Sequence, residues 1–452
     1  MSETVDSRRV YGTDAADVGE RFRNGAFPVA VYGLGKMGLP LAAVLADVSG
    51  NVVGADIDSS VVESVNEGAC HVVGEPGLEE LVAETVESGA LRAVADGKAA
   101  ASEASMHVVV VPTLLTDNNR PDLAAVESVL EDVATGLEPG DFVVIESTVP
   151  PRTCSDAVVP QLAEQSGVDP DEFGVAFCPE RTSSGRALVD IRESYPKIVG
   201  GVDDESTRLA AEIYDEVTTN EVVPVSDSTT AEATKVFGGV YRDVNIAFAN
   251  ELATYADDLG IDVREAIAAS NSQPHSHILE PGPGVGGHCI PVYPYFLLNE
   301  FDVYSPIIRM SRAVNDSMPT FVVKQLRRAL SEAGTGLQDS TVLVLGVTYR
   351  AGVEETRFSP ALTVLELLSD FGAETLAVDP LLDDIDGDAE LLSQEAAAAS
   401  DLDAVVLVTP HEAFETFPWN DHDDLVVVDT RGVLDPDTIE GRVVTIGRAM
   451  EE

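Results

Sequence analysis

The chain has 452 residues, 44% of them apolar, with 79 acidic side chains against 27 basic ones and a formal net charge of −52. That length exceeds one ordinary core and predicts two or three domains, and the apolar content excludes simple disorder. The acidity is spread along the whole chain as a solvated surface, which would repel nucleic acid and needs concentrated salt to screen it, so the composition is that of a halophilic protein.

No apolar run reaches the roughly 18 residues of a membrane span, and Met1–Phe27 lacks the apolar core of a signal peptide. The expectation is a cytoplasmic protein with no membrane partner. Cys70, Cys154, Cys178 and Cys289 lie far apart with no CxxC pair, which predicts reduced thiols and neither a disulfide framework nor a metal site.

Residues 1–27 read as a polar leader. Next, PVAVYGLGKMGLPLAAVLADVSGNVVGADID spells strand, glycine turn, helix, strand, with Val29–Tyr32 and Val52–Ala55 as the strands and Leu39–Val48 helical. Gly33, Gly35 and Gly38 form GxGxxG, and Asp56 follows 18 residues beyond the third glycine. A dinucleotide site needs this order: glycines for the turn and the approach of the pyrophosphate, a helix N-terminus for the phosphates, an acid for the ribose. Asp56 favours NAD over NADP, since a carboxylate repels a 2′-phosphate, although Asp58 stands beside it.

Apolar strands recur at His107–Val111, Phe142–Ile145, Gly174–Phe177 and Lys197–Val199, with helical stretches such as Leu123–Ala134 and Ser155–Gln165 between them. This alternation predicts a parallel, doubly wound sheet with ligands outside the carboxyl ends of its strands. Three polar clusters sit there, at Pro112-Thr113, at Glu146 to Pro150 with Thr148, and at Cys178-Pro179-Glu180-Arg181; loop capping alone would also explain each. From Thr229 to Leu259 the pattern becomes one long helical run interrupted by Gly238-Gly239. Lys235 within it is one of five lysines in the chain, a rarity that suggests a role beyond a salt bridge.

Gly282, Gly284, Gly286 and Gly287 crowd the stretch GPGVGGHCIPVYP and end at Cys289. Such a loop suits a nucleophile, because its backbone N–H groups can bind an oxyanion, but a tight turn around a buried cysteine would look the same. A helix is expected over Ile307–Leu330, then a second Rossmann-like layer: Thr341–Leu345, Gly346, a helical stretch, Thr375–Val378 with Asp379 at its tip, and strands at Ala404–Val408 and Leu425–Val428. It lacks GxGxxG. Arg350, Arg357 and Arg431 at its loops suggest an anionic ligand.

Taken in order, GLGKMGLP, ESTVPP, CPER, AEATK, RDVNIAFANEL, GPGVGGHC, NDSMP, TRFSPAL and VVDTRG resemble the UDP-glucose/GDP-mannose dehydrogenases over nearly the full length, and the UDP-hexosamine branch most closely. The resemblance implies an α/β protein of two Rossmann-like doubly wound domains joined by a long central helix. Its parts would be an NAD domain over 28–205, a central helical dimerisation domain over 206–330 and a C-terminal UDP-sugar domain over 331–452. It implies a homodimer and a four-electron, NAD-dependent oxidation of a sugar C6 alcohol to a carboxylate through a thiohemiacetal and a thioester on Cys289. By the same resemblance Lys235, Glu180 and Thr148 are catalytic, and Met37, Thr113, Thr148 and Arg357 join Gly33, Gly35, Gly38 and Asp56 at the cofactor. Substrate contacts fall on Glu180, Arg181, Lys235, Arg242, Asn245, Gly284, Gly286, Gly287, His288, Tyr349, Arg350 and Arg431. No metal is implied.

The chain departs from the family pattern in three places. Gly239 stands four residues beyond Lys235, where Asn is usual; Tyr293 stands four beyond Cys289, where Asp is usual; and Pro274 is flanked by Gln273 and His275 instead of His and Arg. Tyr293 is kept as a candidate site residue. UDP-N-acetyl-D-mannosamine is the expected substrate, with UDP-N-acetylglucosamine or UDP-glucose as alternatives, and an inactive nucleotide-sugar-binding protein as the alternative of another class.

Overall fold

The computed structural model describes residues 8–12, 17–422 and 424–450. The chain divides into two compact units, Met1–Phe237 with Tyr295–Glu300, and Gly238–Pro294 with Phe301–Glu452.

In the first unit six strands lie in the order Leu91–Val94, Val52–Ala55, Val29–Tyr32, Met106–Val109, Phe142–Ile145, Gly174–Phe177. All are parallel to their neighbours. This is the doubly wound order, and the reversal between Val29–Tyr32 and Met106–Val109 opens a crevice at the carboxyl ends of those strands. Both faces are covered, which is why the strands read as unbroken apolar runs. Val29 and Val31 point into one core with Leu39, Leu45, Leu209 and Ile213. Ala30 and Tyr32 point into the other with Val126, Leu130 and Leu162.

Two features differ from the sequence reading. Lys197–Gly201 runs antiparallel to Gly174–Phe177 and carries the short parallel strand Val222–Pro224 at its far side. The connection into it holds only the short helical turns Ala187–Val189 and Asp190–Ser194 and lacks the long crossover helix that usually returns a strand in parallel. The edge strand Leu91–Val94 also escapes notice, because exposed Arg92 breaks its apolar pattern. In the segment read as a leader, residues 1–7 and 13–16 lie outside the described residues. The rest is built in: Val18 and Phe22, four apart on the helix Val18–Arg23, are fully buried along with Val10 and Phe27.

The helix Ser228–Thr254 carries the chain from the first unit into the second. It stops short of the predicted Leu259: the Tyr255 N–H closes back onto Leu252 O at 3.1 Å, a tighter turn that separates off Ala256–Leu259. Within the second unit this helix packs on Pro306–Ala333 through buried polar groups. Asp243 accepts from Arg312 at 2.5 Å, Ser311 at 3.0 Å and Asn315 at 2.9 Å, and Asn250 donates to Asn315 at 2.9 Å. A six-stranded, wholly parallel sheet follows, ordered Glu390–Leu391, Glu374–Val378, Thr341–Leu345, Ala404–Leu407, Val426–Asp429, Arg442–Thr445. Its two edge strands were not legible in the sequence.

Candidate active site

In the first unit the glycine turn sits at the crevice. Gly33 has φ 92°, and a Cβ there would stand 2.6 Å from Val110 O, while one on Gly38 would stand 1.9 Å from Gly33 O. Gly35 is different: a Cβ there would meet nothing within 4 Å. Two glycines let the turn close on itself, and the third leaves bare backbone facing open space. The helix Gly38–Ser49 begins at Met37 with no side-chain cap and no acid in its first turn; the Leu39 N–H is spent on Gly35 O at 3.0 Å and Pro40 has none, so a phosphate would be met by the positive end of the helix and the backbone of the glycine turn. Asp56 accepts the Leu34 N–H at 2.7 Å and the Asp58 N–H at 2.9 Å, which fixes the carboxylate beside the turn. His71 also joins the turn, through Leu34 O at 2.8 Å. These residues fit a dinucleotide.

The loops after the next strands line the same edge. The Thr113 hydroxyl donates to Thr148 O at 2.6 Å, and Ser147 Oγ accepts the Val111 N–H at 2.8 Å, which ties the two loops together. Beyond them, Lys235 Nζ lies 3.4 Å from Glu180 Oε2 and donates to Glu180 O. Burial alone would raise the Glu180 carboxyl, but the Lys235 ammonium and hydrogen bonds from Thr182 outweigh it and hold it below the usual carboxylate range. Thr182 also reaches Met37 Sδ at 2.8 Å, which ties the Glu180 loop to the glycine turn. Arg181 donates to Pro196 O at 3.2 Å and covers the Tyr195 ring.

Two groups beneath this site were missed in the sequence. Lys197 Nζ donates to Glu146 at 2.7 and 2.8 Å and to Cys178 O at 2.9 Å, and lies 4.3 Å from the centre of the Tyr214 ring. It holds the backbone just before Glu180. Burial pushes the Glu146 carboxyl up, against the pull of Lys197 and Tyr214. The scarcity that singled out Lys235 applies equally to Lys197. Glu232, one turn before Lys235, accepts the N–H groups of Arg152 at 2.5 Å and Cys154 at 2.8 Å, fastening the long helix to the loop that follows Thr148. Burial lifts its carboxyl to about 7 despite those donors.

In the second unit Cys289 is exposed, whereas Cys154 and Cys178 are buried and Cys70 is half-buried. The glycines before it are required by close packing. A Cβ on Gly282 would stand 2.8 Å from Arg431, one on Gly284 3.2 Å from Pro360, one on Gly286 2.7 Å from Tyr349, and one on Gly287 2.8 Å from the Tyr349 ring. The Gly287 N–H donates to Arg357 O at 2.8 Å and the Gly282 N–H to Asn250 at 2.8 Å. Next to Arg357, Phe358 holds a left-handed φ of 53°, uncommon for a bulky residue and a mark of a turn fixed by its surroundings. His288 Nε2 lies 3.1 Å from Glu355, and Arg357 Nε lies 3.5 Å from the same residue.

Arg431 donates to Val408 O at 3.0 Å. Burial, with Arg264 as a like charge beside it and Asp429 opposing, brings its guanidinium down to about 10. Arg264, which sequence reasoning passed over, clasps the loop by donating to Pro281 O at 2.8 Å, Thr430 O at 3.2 Å and Ile446 O at 3.0 Å. Asn245 spends its amide on His277 O at 2.6 Å and the Leu279 N–H at 3.0 Å. Arg242 and Arg350 are exposed. Among the described residues no group of three or more His, Cys, Asp or Glu could hold a metal ion, and no helix is long and apolar enough to cross a membrane.

Comparison with known proteins agrees with these two halves. Residues 27–218 match the NAD binding domain of the UDP-glucose/GDP-mannose dehydrogenase family, residues 229–317 its central domain and residues 343–436 its UDP binding domain. The chain is 36% identical over 417 residues to an NDP-N-acetyl-D-galactosaminuronic acid dehydrogenase of Ralstonia nicotianae, covering 90% of this chain and 96% of the relative. It is 34% identical to a UDP-N-acetyl-D-mannosamine dehydrogenase of Yersinia pestis, covering 90% and 98%. Among solved structures it is similar to a UDP-D-ManNAc dehydrogenase from Pyrococcus horikoshii, with TM-score 0.85, 32% identity and coverage of 93% and 99%. The chain therefore belongs to the UDP-glucose/GDP-mannose dehydrogenase family and is an NAD-dependent nucleotide-sugar oxidoreductase.

Proposed function

We propose that the protein oxidises the C6 hydroxyl of a UDP-N-acetylhexosamine, UDP-N-acetyl-D-mannosamine first among them, to the uronate. The observation that carries this reading is the exposed Cys289 on a loop whose glycines are closed over by Tyr349 and Arg431. The Gly33–Gly38 turn, with Asp56 at the ribose, would hold NAD, and two NAD molecules bound in succession would each take one hydride from C6. Lys235, paired with Glu180, stabilises negative charge on the C6 oxygen; a preorganised cation in a dry site is worth several kcal/mol there. Cys289 attacks the C6 aldehyde, and the new S–C bond holds the carbon first as a thiohemiacetal and, once oxidised, as a thioester. Water placed by Glu180 and Thr148 then attacks the thioester carbon, and the C–S bond breaks to free the thiolate and the carboxylate.

The N-acetyl sugar is favoured by the similarity to the relatives from Ralstonia and Yersinia, both named for N-acetyl sugars. A panel of UDP-sugars followed by NADH absorbance tests it: turnover of UDP-glucose with none of the N-acetyl sugars would sink the assignment. Arg431, Tyr349, His288 and Arg350 are proposed for the nucleotide-sugar, and boundaries near 28–205, 206–330 and 331–452 for the three functional parts.

The protein acts in the cytoplasm as a homodimer in this reading. Support for the dimer comes from an open apolar groove in the second unit between the long helix and Pro306–Ala333, lined by Val244, Phe248, Ile307 and Met310, where Ile307 is 69% and Met310 62% exposed. The halophilic reading rests on the charge of −52 and predicts loss of activity on dilution from molar KCl to low ionic strength.

A further inference from the structure

Gly238 and Gly239 are neighbours in the middle of a helix, yet their surroundings are opposite. A Cβ on Gly238 would meet nothing within 4 Å, whereas one on Gly239 would stand 2.2 Å from Cδ2 of Tyr293 and 3.1 Å from Cε2 and Cγ. Neither glycine has the positive φ that would require the residue. Space is thus the only reason for Gly239, and the occupant of that space is the Tyr293 ring. Tyr293 is itself 7% exposed. Its N–H donates to Cys289 O at 3.0 Å, and the Val292 N–H donates to the same oxygen at 3.2 Å, so Cys289 and Tyr293 are the two ends of one tight turn. The exposed thiol is at one end and the wedged ring at the other.

We propose that Tyr293 is a positioning residue for Cys289: its ring, seated in the notch that Gly239 leaves in the long helix, holds the turn that presents the thiol. The two departures from the family pattern, Gly239 for Asn and Tyr293 for Asp, are then one coupled change, in which an aromatic wedge replaces two polar side chains. A ring fixed by packing restricts the backbone of the turn more than a short polar side chain would, because it has few rotamers and fills its notch. The inference rests on the reading of Cys289 as nucleophile, so its test includes a measurement that needs no turnover.

Four variants, G239A, Y293F, Y293A and the double variant G239A/Y293A, are compared in molar KCl for kcat, for KM of the UDP-sugar, and for the rate of iodoacetamide labelling of the Cys289 peptide across pH. Circular dichroism checks that each folds. G239A is expected to lower kcat by about tenfold or more with KM changed far less and to alter the labelling rate. Y293F, which keeps the ring, should fall much less than Y293A. The double variant should lose less than the product of the two single losses, since removing the ring removes the collision. Independent, multiplicative losses would overturn the proposal, as would wild-type labelling of Cys289 in folded G239A. Equal losses in Y293F and Y293A would also overturn it, because the hydroxyl and not the wedge would then carry the role. If no UDP-sugar is turned over by wild type, the labelling rates still decide whether the wedge sets the thiol.

Discussion

The two Rossmann-like sheets share one strand order and one acid position but use them differently. Each opens with a strand that ends at a left-handed glycine, Gly33 at φ 92° and Gly346 at φ 84°, and each second strand ends at an aspartate that accepts the N–H after that glycine, Asp56 from Leu34 at 2.7 Å and Asp379 from Val347 at 2.8 Å. In the first unit the helix starts at Gly38, and Gly35 leaves backbone facing open space. In the second the helix waits until Pro360. Asp379 is sealed there by the Thr348 N–H at 2.8 Å, the Thr348 hydroxyl at 2.9 Å and His411 at 3.1 Å. The freed segment between Gly346 and Pro360 closes on the cysteine loop through Tyr349 and the carbonyls of Arg357 and Phe358. A fold thus repeats without its glycine cradle, because the cradle depends on where the helix begins, and the acid beside it differs in load: Asp56 accepts two N–H groups, whereas Asp379 also takes the Thr348 hydroxyl and His411.

The largest effect expected from breaking this division of labour is at Cys289. Cys289→Ser should lower uronate formation by about a thousandfold or more, since an alkoxide is not available at neutral pH, while NAD binding measured by calorimetry stays as in wild type. Unchanged uronate yield would reject covalent catalysis. Next comes Gly35→Val in the other unit. With nothing in the protein to collide with, it should leave thermal stability within about 0.5 kcal/mol and weaken NAD by about a hundredfold; a large loss of stability with normal NAD affinity would contradict the open-cradle reading.

Two carboxylates with opposite shifts sharpen the comparison through pH. Glu232 titrates at about 7 in the folded chain, above its unfolded value, so its contribution to stability is present in acid and is lost as pH rises toward 7. Glu232→Gln should flatten the fall in stability between about pH 5 and 7, an effect of up to about 3 kcal/mol, read by denaturant titration at fixed salt. Asp379 is the reverse. Burial would raise it, but His411 and the backbone N–H groups bring it to about 2, so its contribution holds above the unfolded value and is lost as pH falls toward 2. Asp379→Asn should cost about 2 kcal/mol at neutral pH and leave NAD affinity untouched. A loss of NAD affinity there would mean that the second acid is still a ribose site.

Much of this was legible in the residues because the signals are local. The span from Val29 to Asp56 announces strand, turn, helix and acid within one supersecondary unit, and five strands fall at the predicted residues, Val29–Tyr32, Val52–Ala55, Phe142–Ile145, Gly174–Phe177 and Thr341–Leu345. Burial on both faces of a parallel sheet writes an apolar run into the sequence itself. Edge strands such as Leu91–Val94 and Arg442–Thr445 carry no such run, since each includes an arginine that is not buried.

The sequence by itself determined the fold class, the cofactor and the cysteine loop, each encoded in consecutive residues whose spacing matches a physical need. Tertiary structure alone decided which partners those residues meet. Lys197 and Glu146 are 51 positions apart, Glu232 and Cys154 are 78 apart, and no periodicity in one stretch reports on a contact made with another. The same holds for Gly239 and Tyr293. Read along the chain they are two unrelated departures, and only packing, which puts a ring where a side chain is missing, makes them a single feature.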